Sequence, residues 1–273
     1  MSLRYWRRDG IDFLRSETST HRYARHAHEE YALGIVEAGA HGFAARGRRW
    51  TAVPGRLIVV NPDDAHDGGP AERGNVYSYR MIYVDAGVMT AALGEAGVGT
   101  GAPLFAEAVV DDADLSARFL DLHRSIEAGD ARLERDTAMM TALAALARRH
   151  GGGAAVAGLR PGCHRGVARV VEYLAENFAE ECALADLAAL AGINRFNLLR
   201  AFQRSLGLPP HQYQTQLRLR HARRLMLAGE APAMAAAAAG FTDQSHLIRK
   251  FKAAYGVTPG KYLGHVGRRR ALQ

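Results

Sequence analysis

Two segments of the chain carry one pattern at a fixed separation. Gly192 to Tyr213 reads GINRFNLLRAFQRSLGLPPHQY, and Gly240 to Tyr262 reads GFTDQSHLIRKFKAAYGVTPGKY. Leu198 and Leu247, Arg200 and Arg249, Phe202 and Phe251, Gly207 and Gly256, Pro210 and Pro259, Tyr213 and Tyr262 all pair at an offset of 49. The leading glycines, Gly192 and Gly240, are 48 apart, so one extra residue enters just after the second. Each copy places apolar residues at i, i+4 and i+8: Leu198, Phe202, Leu206, then Leu247, Phe251, Tyr255. That is one buried stripe of a helix. Asn194 and Asp243 precede the stripes, where a short polar side chain caps orphan N–H groups. Gly207 and Gly256 follow the last turn, where glycine takes the left-handed conformation at little cost. Pro210 and Pro259 open the next helix, with Thr258 as a cap. A shorter helix precedes each copy, LADLAALAG (184–192) and PAMAAAAAG (232–240). Helix, glycine-containing turn and capped second helix is the helix-turn-helix layout.

The positions off the apolar stripes carry the functional information. In the first copy they are Arg195, Phe196, Asn197, Arg200, Gln203 and Arg204, and in the second Gln244, Ser245, His246, Arg249, Lys250 and Lys252. These side chains suit base edges and phosphates, and no carboxylate is among them. Ordinary solvated bundle faces would mix in Glu and Asp. The charge balance agrees. Residues 1–162 hold 19 Lys and Arg against 21 Asp and Glu, whereas residues 163–273 hold 16 against 7. The net charge of +7 thus arises entirely in the half with the repeat, which favours a polyanionic partner.

Between the copies, PPHQYQTQLRLRHARRLMLAG (209–229) reads as one helix of nearly six turns. Twenty helical residues span about 30 Å. Major-groove segments on one side of B-DNA recur every ~34 Å, so a stiff connector of this length can hold two recognition helices on adjacent turns.

Residues 164–262 resemble the AraC/XylS-type DNA-binding domain, and the second copy carries that family's signature as GFTDQSH, then R.FK, then G.TP..Y. The resemblance implies recognition helices starting at Arg195 and Gln244, the first carrying most of the sequence reading. The alanine-rich helix before Gly240 is blander than its counterpart. Arg218 also fits the family pattern, and a structural ion pair is expected of it rather than base reading.

The first hundred residues have a different rhythm. YALGIVEAG, RLIVVNP and NVYSYRMIYVD are short β-type runs between Gly, Pro and Asp turns, which points to a small barrel or sandwich. His26-x-His28, Gly39, Pro54-Gly55 and NPDDAH ending at His66 resemble, in that order, the cupin barrel found as a ligand-sensing domain in front of AraC-type regulators. His26 and His28 share a strand face and His66 can join them, so three imidazoles could bind Zn²⁺ or Fe²⁺. The cupin pattern, however, expects a glutamate four or five residues after His28, where this chain has Ala32 and Leu33, with Glu29, Glu30 and Glu37 off the patterned position. A pocket for an organic effector without metal or cofactor is therefore the expectation, with His26, His28, Tyr31, His66 and Tyr79 as its candidate contacts. Tyr77, Tyr79, Met81 and Tyr83 alternate with Ser78, Arg80 and Ile82, and either face can line the interior.

The expected fold is α+β: a cupin-like effector barrel (1–110) with flanking helices, a helical packing or dimerisation segment (111–150), and a flexible linker (151–162). A double helix-turn-helix domain (163–265), its units joined by a long helix, and a basic tail (266–273) follow. DADLSARFLDLHRSIEAGDARLERDTAMMTALAALARRH supplies two helices at 114–126 and 131–149 with apolar stripes that a small barrel would leave partly open. By the family resemblance these pair two chains as a homodimer. No run of 18 apolar residues marks a membrane span, and the start MSLRYWRRDGIDFLR lacks a signal peptide's apolar core. With Cys163 and Cys182 too far apart for a CxxC site, a reducing cytoplasm fits. The reading is a non-enzymatic transcription regulator that binds double-stranded DNA and a small-molecule effector, with RNA polymerase as a partner if it activates. The alternative is a metal-dependent cupin enzyme, or a metal sensor, fused to a DNA-localising domain.

Overall fold

The structure is a computed structural model that describes residues 3–8, 11–99, 101–129, 132–154 and 165–267. The elements run β1 (Leu3–Arg8), β2 (Ile11–Ser19), β3 (Tyr23–His26), β4 (Tyr31–Ala38), β5 (His41–Ala45), β6 (Arg48–Ala52), β7 (Leu57–Val60), β8 (His66–Pro70) and β9 (Tyr77–Val84). There follow α1 (Ala86–Glu95), β10 (Pro103–Phe105), β11 (Val109–Val110), α2 (Ala113–Ala128), α3 (Arg132–His150) and β12 (Gly151–Ala154). The helical part comprises α4 (Arg165–Glu176), α5 (Leu184–Ala191), α6 (Arg195–Leu206), α7 (Pro210–Leu227), α8 (Pro232–Ala238), α9 (Gln244–Tyr255) and α10 (Pro259–Gly267). The chain divides into two compact units, one of residues 1–22, 29–63 and 68–155, the other of residues 23–28, 64–67 and 156–273.

The α+β expectation holds. A six-stranded sheet has the order β1-β2-β9-β4-β7-β11, a four-stranded sheet the order β3-β8-β5-β6, and β10 pairs with β12. The three runs read as strands in the sequence become β4, β7 and β9, with β4 central. Its register sets Leu33 opposite both Ile82 of β9 and Val59 of β7. The pleat sends alternate residues to opposite faces. Tyr31, Leu33, Ile35, Leu57, Val59, Ile82 and Val84 share one core with Met89 and Leu93 of α1, Leu115, Phe119 and Leu122 of α2, and Leu143 and Leu146 of α3. These helices therefore cover one face of the large sheet. Tyr77, Tyr79 and Met81 point to the other face, which answers the question the alternation left open.

Two expectations change here. The apolar stripes of α2 and α3 are buried against their own sheet, and only Leu133, 78% exposed, stands out from them. A helix pair left partly open for a second chain is thus not what forms, because three helices suffice to cover one sheet face. The expected linker also begins later. Gly151–Ala154 forms β12, Gly151 opposite Phe105 and Ala154 opposite Pro103, because glycine backbone can pair without any side chain to seat. The remainder of the linker and the tail Arg268–Arg270 lie outside the described residues.

Helix α1 was not anticipated, since Gly87 and Gly94 weigh against a helix. Asp85 Oδ1 accepts from Gly87 N at 2.7 Å and starts it. Among the described residues, no helix is long and apolar enough to cross a membrane.

In the helical part, Val167, Val170 and Leu174 of α4 pack with Leu187, Ala188 and Ala191 of α5 and with Leu198, Phe202 and Leu206 of α6. The second copy buries Leu247 and Phe251 with Ala235 and Ala236 of α8 and Tyr262 of α10, the Phe251 and Tyr262 rings 5.5 Å apart. The connector α7 has 18 residues, five turns rather than nearly six, and spans about 27 Å at 1.5 Å per residue.

Candidate functional site

The local rules forecast for the repeat are all present. Asn194 Oδ1 accepts from Asn197 N at 2.9 Å and Asp243 Oδ1 from His246 N at 2.7 Å, so α6 and α9 are capped by the same device. Gly207 and Gly256 close them at φ of 72° and 75°. The extra residue of the second copy falls in the turn, with Ile193-Asn194 before α6 and Phe241-Thr242-Asp243 before α9.

The capped starts present the candidate contacts to solvent. Arg195, Phe196, Asn197, Arg200, Gln203 and Arg204 are exposed on α6, as are Gln244, Ser245, Arg249, Lys250 and Lys252 on α9. His246 is half-buried edge-on against Phe241, at 5.4 Å. Its pKa is lowered, first by burial and then by Lys250 and Arg249. Gln203 Nε2 donates to Gly207 O at 2.8 Å, and that bond ties it to its own helix end. Phe196 is 66% exposed, and the Arg200 guanidinium lies 5.5 Å from its ring centroid. An apolar ring held in water beside a cation suits a thymine methyl and its neighbouring phosphates.

Arg218 is structural, as expected, but not through a carboxylate. Its Nε donates to Phe178 O at 2.7 Å, and NH2 to Glu180 O at 2.9 Å, closing the turn between α4 and α5. Gln214 Nε2 joins at Glu180 O, 2.7 Å away. Carbonyls left over at a helix end attract a cation as a carboxylate would.

The candidate effector residues separate into distinct places. His26, His28 and His66 come together, with ring centroids 4.4 Å apart for His26 and His66, 4.9 Å for His28 and His66, and 5.9 Å for His26 and His28. Burial, then the neighbouring His66, lower the His26 pKa to about 3. Tyr31 does not join them. The pleat turns it to the helix-covered face, where its hydroxyl donates to Pro103 O at 2.8 Å and burial raises its pKa to about 12. Tyr79 belongs to another group, stacked on Tyr77 at 4.9 Å and 5.7 Å from the ring of His41.

His41 is the residue the sequence reading missed. It is 7% exposed, lies 4.9 Å from the Tyr77 ring and 5.5 Å from the Phe43 ring, and both its nitrogens are buried without a hydrogen-bond partner among the described residues. Burial lowers its pKa to about 4, so the ring is neutral. Ser16 Oγ, on the strand position paired with Tyr79, is likewise buried without a partner. The signal was a histidine opening an alternating strand, HGFAA, which by spacing alone looks like any strand-edge residue.

Glu37, one of the carboxylates near the cupin pattern, is committed elsewhere. Its Oε1 lies 3.0 Å from Arg80 Nε, while Arg80 NH1 donates to Glu127 Oε2 at 2.6 Å and to His123 Nδ1 at 2.9 Å. Because His123 Nδ1 accepts there, its Nε2 carries the proton and donates to Leu14 O at 3.2 Å. Burial, reinforced by Arg80, lowers the His123 pKa to about 4. This network ties α2 to the large sheet.

A sheet-built domain joined to two matching helix-turn-helix units defines a DNA-binding regulator with a separate sensory fold. Comparisons agree. An AraC-like ligand binding domain matches residues 10–143 and a helix-turn-helix domain matches residues 187–265. The chain is 30% identical over 237 residues to the uncharacterized HTH-type transcriptional regulator YbfI of Bacillus subtilis (strain 168), covering 87% of this chain and 86% of that one. The HTH-type transcriptional activator RhaS of Pectobacterium carotovorum is 31% identical over 102 residues, 37% of this chain and 36% of that one. In fold it is similar to apo ToxT K231A from Vibrio cholerae, with a TM-score of 0.58 at 10% identity over 94% of this chain and 97% of the other. Unsaturated fatty acid-bound ToxT gives 0.52 at 11% identity, over 94% and 95%. The chain belongs to the AraC family of helix-turn-helix transcriptional regulators. Its relatives are named as regulators, which is the regulator reading and not the enzyme one.

Proposed function

We propose that this regulator reads two adjacent major-groove segments of one duplex with α6 and α9, and that a small organic effector bound inside the sheet domain controls it. The observation that carries the DNA half is the pair of identically capped helices whose exposed faces hold Arg, Lys, Asn and Gln without one carboxylate. Arg195, Phe196, Asn197 and Arg200 stand near the start of α6, where groove insertion brings side chains closest to base edges. Lys250 and Lys252 stand further along α9, where phosphate contacts predominate. The effector half is supported by the interior group of His41, Tyr77, Tyr79 and Ser16. Aromatic faces there accompany polar atoms of His41 and Ser16 that no described residue satisfies, which suits a small molecule with a flat or apolar body and a hydrogen-bonding head. The fold relative ToxT has been crystallised with an unsaturated fatty acid.

A homodimer would have to use a surface other than the buried stripes of α2 and α3. Activation through RNA polymerase would follow the name of the Pectobacterium relative.

Selection of bound duplexes from a randomised library with the full chain tests the DNA half. Two preferred blocks about 10 base pairs apart are expected, Arg200→Ala relaxing one and Arg249→Ala the other. A single block, insensitive to Arg249→Ala, would remove the two-groove reading.

A further inference from the structure

We infer that the turn between α4 and α5, residues 177–180, is the gauge that sets the spacing of α6 and α9 on DNA, and that Gln214 and Arg218 of α7 are the positioning residues that hold it. The inference rests on the two-groove reading above. Two helix-turn-helix units joined by one helix alone can twist about that helix. A second tie away from its axis removes this freedom, and residues 177–180 supply one.

The first side of the tie is a set of hydrogen bonds from the connector. Gln214 and Arg218 stand one turn apart on one face of α7. Arg218 Nε donates to Phe178 O at 2.7 Å, and its NH2 to Ala179 O at 3.3 Å and Glu180 O at 2.9 Å. Gln214 Nε2 donates to Glu180 O at 2.7 Å and to Phe178 O at 3.2 Å. The Phe178 ring lies 4.7 Å from that of His221, one turn further along α7. Three consecutive carbonyls are thus fixed from the connector. A planar fork of five donors suits that task, whereas a lysine ammonium is a single point.

The other side of the turn meets the second unit. Gly240, in the turn between α8 and α9, has φ of +75°, and a Cβ there would stand 2.2 Å from Ala179 O and 2.7 Å from Ala179 Cα. Its counterpart Gly192, between α5 and α6, has φ of +69°, yet a Cβ there meets nothing nearer than Arg169 NH2 at 3.7 Å. The left-handed turn explains glycine at both places. Of the two, Gly240 alone also admits a backbone from the first unit, a few residues before Gln244 opens α9. Position at that contact becomes register on DNA. One base pair is about 3.4 Å of rise and about 35° of rotation. Slack of that size between α6 and α9 would let the protein accept blocks one base pair closer or farther apart.

The test measures the affinity of the full chain for the selected duplex and for duplexes with one base pair added or removed between the two blocks. Wild type should lose at least about 10-fold on either altered duplex, within the range of roughly 5- to 150-fold that a base contact carries. Arg218→Met and Gln214→Met should narrow that ratio to about 3-fold or less, through weaker binding to the selected spacing, with an unchanged circular dichroism spectrum. Arg218→Lys, which keeps the charge and one donor group, should restore part of the ratio. A role in stability or charge alone would lower affinity equally on all three duplexes. Equal losses of that kind in both methionine variants would overturn the inference, and Gln214→Met decides it if Arg218→Met does not fold. A wild type indifferent to spacing, with a single block selected, would remove the two-groove reading and the gauge with it. A wild type that discriminates, beside variants that discriminate as strongly, would remove the gauge alone.

Discussion

Phe196→Ala and Phe202→Ala should have opposite consequences although the two residues lie on one helix, six positions apart. Phe202 is 0% exposed at the centre of the first unit, in contact with the core of α4, α5 and α6. Emptying that volume should cost about 3–5 kcal/mol. Phe196 is 66% exposed. If a third of ~200 Å² is covered, at ~25 cal/mol per Å² the lost burial is under about 2 kcal/mol. Alanine's better helix propensity returns about 0.5 kcal/mol, so the net change in stability should fall near 1 kcal/mol or below. On DNA the order reverses. Loss of a base contact by Phe196 should cost about 1–3 kcal/mol, a fall in affinity of roughly 5- to 150-fold. Urea unfolding followed by circular dichroism gives the first quantity, and fluorescence anisotropy on a selected duplex gives the second. Should Phe196→Ala unfold as early as Phe202→Ala, the ring is packed and the outward face of α6 is misassigned. Unchanged affinity with unchanged stability would deny it any contact with DNA.

Two further substitutions probe the frame around these helices. Gly240 has φ of +75°, and a Cβ there would lie 2.2 Å from Ala179 O, so Gly240→Ala should destabilise by at least about 2 kcal/mol in urea unfolding. Gly260→Ala, where a Cβ meets nothing within 4 Å, should be neutral or slightly stabilising; equal losses at both positions would refute the close-approach argument. Arg80→Met removes the cation between Glu37, Glu127 and His123 and should cost about 3 kcal/mol, the low end for breaking a buried pair because both carboxylates keep some solvent. A melting temperature within 1–2 °C of wild type, by about 4 °C per kcal/mol, would show that network to be idle.

The helical part was legible because its constraints are local. Caps at Asn194 and Asp243, left-handed glycines at 207 and 256, and a stripe at i, i+4, i+8 each demand a residue type at a fixed place, and the duplication states every demand twice. Five turns in α7 instead of nearly six reflect end residues that spacing cannot decide. In the sheet part the same alternation that revealed β9 could not say which face was inside, since Tyr79 and Ile82 are equally apolar to a period of two. Tyr31 was placed with the histidines by sequence proximity, whereas the pleat puts it under α2 and α3. The hairpin of β1 and β2 was passed over although Asp9-Gly10, a turn dipeptide, lies between two alternating runs. His41 escaped because nothing local marks a histidine whose nitrogens will end without partners.

The large sheet treats polar groups differently on its two faces, and that difference bears on the proposed effector site. On the helix-covered face, Arg80 meets two carboxylates and an imidazole, all supplied by β4 and α2. Such a network is complete without any ligand and serves to fix the helices. On the opposite face Ser16, and packed against that face His41 of β5 from the smaller sheet, bury oxygen and nitrogen atoms that no described residue bonds. Each buried atom of that kind costs about 1–3 kcal/mol in a folded chain. A fold meant only to pack would put apolar side chains there at no loss of volume, as it does with Ile58 and Met81 nearby. Retained unpartnered polarity is economical only where a molecule other than the protein completes the bonds. The effector proposed above would accordingly sit against the face bearing Ser16 and Tyr79, beneath His41 of the smaller sheet, with the helix-covered face as its rigid backing.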